Sequence, residues 1–258
     1  MTRLYPFLSE SFGTKLSVEQ TKELIKTKCA NNYNIMKKAK KWIYRGDDTL
    51  NNPFILADSR KAERESANTS NHYTLLLSKY LDSWKSYPPR NKSFICSTAS
   101  YTAEDYGKCY HIIPFDNTQV AICPNFDLWE SFAWGLKQIN ADTNNKGVKF
   151  YNSTETRKIQ NLSDFNSFLN DTLNIDIHNL AQKLFYKLFE FKSVFPSKYR
   201  HKTLIEYLNM HLDPVKNKFE LTPNISNVIS KKNREVWFSG ECILIERDSD
   251  EERVLFNF

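Results

Sequence analysis

Three short segments carry the residue types with the widest chemical reach: Tyr44-Arg45-Gly46, Ser97-Thr98-Ala99-Ser100 and Asn233-Arg234-Glu235-Val236-Trp237. A guanidinium offers planar donors matched to phosphate oxygens. A hydroxyl both donates and accepts, so it orients its neighbours. A carboxylate in a sheltered site stabilises positive charge as it develops. Each segment also has an ordinary reading. Arg-Gly after a strand makes a turn, Ser-Thr after a strand makes an ST-turn or helix cap, and a Glu opening a strand is solvated. What unites the three is position, since each falls at the end or edge of an expected strand.

The elements that must position them follow from patterning. Ser17-Val18-Glu19-Gln20 has the capping-box order and starts a helix. A second helix over about 31–40 ends in the basic run Lys37-Lys38-Ala39-Lys40-Lys41. Trp42-Ile43-Tyr44 reads as a strand, stopped by Arg45-Gly46-Asp47-Asp48. Residues 47–72 read as polar and irregular, and a helix is expected over about 73–84, broken by Tyr87-Pro88-Pro89-Arg90. Ser93–Cys96 is the second expected strand and Tyr110–Phe115 the third, with a short helix over about 102–106 between them. Asp127, with Glu130 following, reads as a helix cap. From about 135 to 220 the chain is mainly helical and lysine-rich, with Leu180, Leu184, Phe185, Leu188 and Phe189 along one face of 178–191. Strands return at Glu235–Phe238, Cys242–Ile245 and Val254–Phe256. The pattern is α+β, with two groups of strands separated by helices.

Bulk properties bound the function. The 258 residues are 40% hydrophobic and 14% aromatic, enough for an aromatic-rich core in one large domain. The net charge of +6 favours an anionic partner such as a nucleotide, nucleic acid or acidic protein. Five cysteines, with no C-x-x-C pair, read as reduced thiols rather than a disulfide framework. No signal peptide or membrane-spanning run is evident, so the expected setting is the cytoplasm of a cell, or a virion packaged from one. The five histidines have no zinc spacing, so no metal is expected. Neither a Rossmann glycine fingerprint nor a P-loop occurs.

In their order along the chain, a strand-end Arg, a strand followed by Ser-Thr and a late strand carrying Glu-Val resemble the arginine–serine–glutamate signature of ADP-ribosyltransferases. Between Ser59 and Phe132, the stretches NTSNHYTLLL, YPPRNKSFICST, YGKCYHIIPF and CPNFDLWESF look like ADP-ribosyltransferase-like proteins of tailed bacteriophages. The resemblance implies a single domain over 1–258: a split β-sheet core, N-terminal helices and a mainly helical insertion at 135–225. It implies NAD+ as substrate and cleavage at the nicotinamide glycosidic bond. ADP-ribose would pass to a macromolecular acceptor, a host protein, with nucleic acid as the other candidate. A toxin-like role in host takeover would follow.

By the same resemblance Arg45 clamps a phosphate and the Gly46 backbone meets the nicotinamide carboxamide. Glu235 stabilises the ribosyl cation, and Ser97 orients Glu235 and the ribose. Thr98, Tyr101 and Arg64 join the nucleotide site, although Thr98 is also suited to support the strand end. Asn233, two before Glu235, lies on the acceptor side; arginine-modifying members carry Glu there, so arginine as acceptor is open. Ala99 replaces a family serine. Alternatives remain at this level. Glu241 is the catalytic carboxylate if the register is shifted, and Arg60 or Arg90 could contact phosphate in place of Arg64. Tyr106 is expected in the core. Lys231, Lys232 and Arg234, like Lys198–Lys202, form a solvated face or guide an acidic acceptor. The competing functions are a non-catalytic binding module and an NAD+ glycohydrolase.

Overall fold

Helix α1 (Val18–Lys28) begins at the capping box that its sequence encodes: Gln20 N–H donates to Ser17 Oγ at 3.2 Å, and Ser17 N–H donates to Gln20 Oε1 at 2.8 Å. Helix α2 (Ala30–Ala39) follows and stops at Lys40, which takes a left-handed conformation with φ 52°. The computed structural model describes residues 13–61, 64, 74–135, 137–138 and 204–256. Most of the expected helical insertion, including 178–191 and Lys198–Lys202, lies outside them.

Among the described residues, nine strands form one antiparallel sheet: β1 (Gly13–Lys15), β2 (Ile43–Gly46), β3 (Phe54–Asp58), β4 (Phe94–Ser97), β5 (Cys109–Pro114), β6 (Val120–Ile122), β7 (Glu220–Thr222), β8 (Glu235–Phe238) and β9 (Glu241–Glu246). Their spatial order is β1-β3-β9-β5-β2-β4-β8-β6-β7. The sheet is pinched at one place. Strands β2 and β4 share the single pair Tyr44–Ser97, whereas their other neighbours are paired along four residues. The architecture is therefore α+β with one narrowly jointed sheet.

Side-chain alternation sorts the strands flanking the pinch into two faces. Phe94 and Cys96 of β4, with Val236 and Phe238 of β8, enter the main hydrophobic core. They are joined there by Ile25 of α1, Tyr33 and Met36 of α2, Ile225, Val228 and Ile229 of helix α5 (Ile225–Ser230), and Leu255 of helix α6 (Asp250–Phe256). The alternate residues Ile95, Ser97, Glu235 and Trp237 point to the opposite face. Burial of these apolar rows at roughly 25 cal/mol per Å² drives the layering.

Several expectations are corrected. The irregular stretch 47–72 is crossed by β3, which pairs with both β1 and β9 and is buried at Phe54 and Ile55. Its apolar run Phe54-Ile55-Leu56-Ala57 forms a strand despite polar flanks. Val254–Phe256 is the end of α6, not a strand. The cause is Ser249, whose hydroxyl accepts Glu252 N–H at 3.0 Å and starts a helix with three acidic residues in its first turn. The helix expected after Asp127 opens with a 3-10 segment, Glu130–Phe132, and runs on as α-helix from 133. The helix expected near 73–84 is present in π form over Leu76–Tyr80 and is followed by a 3-10 turn, Asp82–Trp84.

The chain divides into two compact units. One takes in residues 7–64, 87–128 and 220–258 and carries the sheet; the other takes in 1–6, 65–86 and 129–219. In the latter, helix α4 (Leu204–His211) is the described helix of the insertion. Trp84 packs against Phe219 at 5.0 Å and donates its indole N–H to Leu212 C=O at 2.8 Å.

Candidate active site

The three segments singled out by residue type lie on three neighbouring strands of the sheet-bearing unit. Ser97 is the common member, paired with Tyr44 on one side and Glu235 on the other. Directly opposed residues of antiparallel strands project to the same face about 5 Å apart. Ser97 and Glu235 therefore share that face beside the joint at which β2 and β4 part.

Arg45 occupies the gap opened by that parting. Its Nη1 donates to the Ile95 carbonyl at 2.9 Å, giving a β4 acceptor a partner that β2 backbone does not supply. Its Nη2 lies 3.4 Å from Asp47 Oδ2. Asp47 is itself fixed by the Thr49 hydroxyl at 2.6 Å and the Thr49 N–H at 3.0 Å. Gly46 is required by packing. A Cβ there would lie 1.8 Å from the Ala103 carbonyl of helix α3 (Ser100–Glu104). The missing side chain admits α3, so the close approach expected of a ligand is made by the protein itself.

Glu235 is held by two groups. Arg90 Nη1 donates to Oε1 at 2.6 Å, with side-chain exposures of 6% for Arg90 and 12% for Glu235. The Leu128 N–H donates to Oε2 at 3.1 Å. The Arg90 guanidinium also lies 5.0 Å from the Trp237 ring. The Ser97 hydroxyl accepts Ala99 N–H at 3.0 Å in an ST-turn. Across the ladder it neighbours Glu235 without bonding it.

Arg64 completes a crowded cationic group. Its backbone N–H donates to Asn91 C=O at 2.6 Å. Burial, then the nearby Arg90 and Arg45 charges, push its pKa down to about 9, still above neutral, so the guanidinium stays charged. Nε of Arg45, Nη1 of Arg64 and Nε of Arg90 are buried without hydrogen-bond partners. Buried charged donors of this kind are costly unless something satisfies them. Arg45 and Arg90 offset part of this cost through Asp47, the Ile95 carbonyl and Glu235.

Thr98, Tyr101 and Asn233 lie at the same end of β4 and β8. Thr98 is bonded to the backbone of Arg234 in both directions, which matches its expected strand-end role. Asn233 takes a left-handed conformation, φ 46°, and its Oδ1 accepts from Thr102 of α3 at 3.1 Å. Tyr101, on α3, is 60% exposed. Other candidates are placed elsewhere or tied up. Glu241 opens β9, opposite Asp58, three strands from β4 in the sheet order. Arg60 pairs with Asp58 at 2.8 Å on the surface. Tyr106, expected in the core, is exposed. Lys231 is paired with Glu220 at 2.6 Å.

Arg90 gave little sequence signal as a Glu235 partner. It follows Tyr87-Pro88-Pro89, a breaker, and its partner lies far along the chain; only the sheet brings them together. None of the five cysteines is disulfide-bonded, and burial pushes the thiols of Cys29 and Cys96 up to about 12 and Cys109 up to about 11. Among the described residues no group of three His, Cys, Asp or Glu is placed to hold a metal ion, and no helix is long and apolar enough to cross a membrane. No family model, curated protein or solved structure matches the chain.

Proposed function

We propose that the chain is an NAD+-dependent mono-ADP-ribosyltransferase of the arginine–serine–glutamate type. The observation that carries this reading is the convergence of Arg45, Ser97 and Glu235 on neighbouring strands, beside the guanidinium groups of Arg45 and Arg64, each of which keeps one buried nitrogen without a hydrogen-bond partner. NAD+ supplies a diphosphate that such donors match. In the proposed reaction the bond between ribose C1′ and the nicotinamide nitrogen breaks. Its electron pair leaves with nicotinamide, neutralising the pyridinium charge, and the ribosyl carbon becomes an oxocarbenium-like cation. The Glu235 carboxylate stabilises that cation. A nucleophile on a macromolecular acceptor, a host protein in the phage setting implied by the resemblance, closes on C1′ and gives up its proton. With water as nucleophile the same site is an NAD+ glycohydrolase.

The Arg90–Glu235 pair favours a second reading, because it half-neutralises the carboxylate that the chemistry needs: a module that binds a nucleotide without turning it over. One assay separates the three. The protein and its Glu235→Gln variant are incubated with labelled NAD+ and host-cell lysate. Nicotinamide release with label on lysate components supports transfer, and release without transferred label supports hydrolysis. No release from either protein overturns the enzymatic reading.

A further inference from the structure

We propose that Arg90 is the positioning residue of Glu235, holding Oε1 while the Leu128 N–H holds Oε2, so that the carboxylate stays fixed in direction. This rests on the ADP-ribosyltransferase reading. The support begins in the segment that delivers the arginine. Tyr87 stacks on Trp237 with ring centres 6.4 Å apart, and the Trp237 indole N–H donates to the Pro88 carbonyl at 2.8 Å. Pro89, with φ −66°, leads directly into the Arg90–Lys92 turn, and Ser93 Oγ donates back to the Pro89 carbonyl at 2.8 Å. Two consecutive prolines and three side-chain contacts thus fix where Arg90 emerges, and Trp237 fixes the plane on which its guanidinium rests.

The pair is not the arrangement that stability alone would favour. Burying two charges costs several kcal/mol each, and an apolar pair of similar volume would tie the segment to β8 at less cost. Nor is it a fork-on-fork bridge: Arg90 uses Nη1 alone on Glu235, and its Nε is left buried without a partner. What the geometry does secure is the carboxylate. Both oxygens have one donor each, from Arg90 and from the backbone, beside Ser97 on the shared face.

The test uses Arg90→Met, Arg90→Lys and Arg90→Ala in the full chain, with nicotinamide release and deuterium exchange at the Leu128 amide as readouts. Arg90→Met is expected to lower kcat about 100-fold while changing KM for NAD+ by less than about threefold. Arg90→Lys keeps the charge and recovers part of kcat. Added guanidinium ion partly rescues Arg90→Ala. The Leu128 amide exchanges faster in Arg90→Met, because its acceptor is no longer held, while the β8 amides keep their protection. A raised KM with unchanged kcat would make Arg90 a substrate ligand and overturn the proposal, as would Leu128 exchange equal to wild type. If Arg90→Met fails to fold, Arg90→Lys and guanidinium rescue of Arg90→Ala decide. If wild type releases no nicotinamide, the enzymatic reading fails by itself, and Leu128 exchange alone decides whether Arg90 holds the carboxylate.

Discussion

Thr98 and Arg234 bind each other twice: the Thr98 N–H donates to the Arg234 carbonyl at 3.0 Å, and the Arg234 N–H donates to the Thr98 hydroxyl at 2.9 Å. The clasp extends the β4–β8 ladder one step past Ser97 and Glu235 and so locks their register. Thr98→Val leaves the Arg234 N–H without its acceptor and is expected to cost about 1–3 kcal/mol. Thr98→Ser should be nearly neutral. Urea unfolding of the two variants checks this; equal midpoints would remove the clasp from the account.

Glu235→Gln and Glu235→Ala should separate chemistry from stability. The glutamine retains an oxygen for Arg90, so the expected result is loss of turnover with NAD+ affinity largely kept. The alanine strands a buried guanidinium and is expected to destabilise the fold by roughly 3–5 kcal/mol. Calorimetric titration and thermal melting of both variants provide the comparison. Retained turnover in Glu235→Gln would exclude it as the charge-stabilising residue.

Arg45 spans the β2–β4 gap with a planar fork, one nitrogen on the Ile95 carbonyl and another toward Asp47. A lysine ammonium is a single point and cannot reproduce that span. Arg45→Lys and Arg45→Ala are therefore both expected to weaken NAD+ binding, by about tenfold or more. Affinity unchanged in Arg45→Ala would refute the phosphate-clamp role.

Gly46→Ala places a methyl group against the Ala103 carbonyl and forces α3 away from β2. Overpacking of this kind costs about 1–3 kcal/mol, and backbone contacts lie at the upper end. A melting temperature equal to wild type would show that α3 moves freely.

Stability should also depend on pH through His111, which packs between the Trp42 and Tyr44 rings with its Nε2 2.7 Å from Glu252 Oε1. Burial, with the Arg247 charge adding, holds its pKa below the usual value, while Asp248 acts in the opposite sense. Below about pH 6.5 the unfolded chain takes up a proton that folded His111 resists. Stability is thus full above that pH and falls as pH drops. Glu252, whose pKa burial raises, takes up its proton in the folded state first and offsets part of the loss. Urea midpoints between pH 7.5 and 5 should decline in wild type and decline less in His111→Gln.

The strands that bear Arg45, Ser97 and Glu235 were legible because each combines aromatic or β-branched residues with a polar stop. The capping box at Ser17 was legible because its signal is local. What escaped depends on pairing. Strand β3 has polar flanks and gains its stability from β1 and β9. The α6 terminus looked extended at Val254-Leu255-Phe256, yet Ser249 and the acidic first turn decide it. Arg90 could not be assigned to Glu235 from spacing, since their meeting depends on Trp237 and the Pro88 carbonyl.

The outermost strands, β1 and β7, are three residues each. A wide sheet with long bare margins invites another chain to add a strand. Among the described residues the exposed Thr14 and Lys15 on one side and Glu220 on the other offer only a short ladder to a further strand, so the breadth that brings the site's three strands together does not come with long bare margins there.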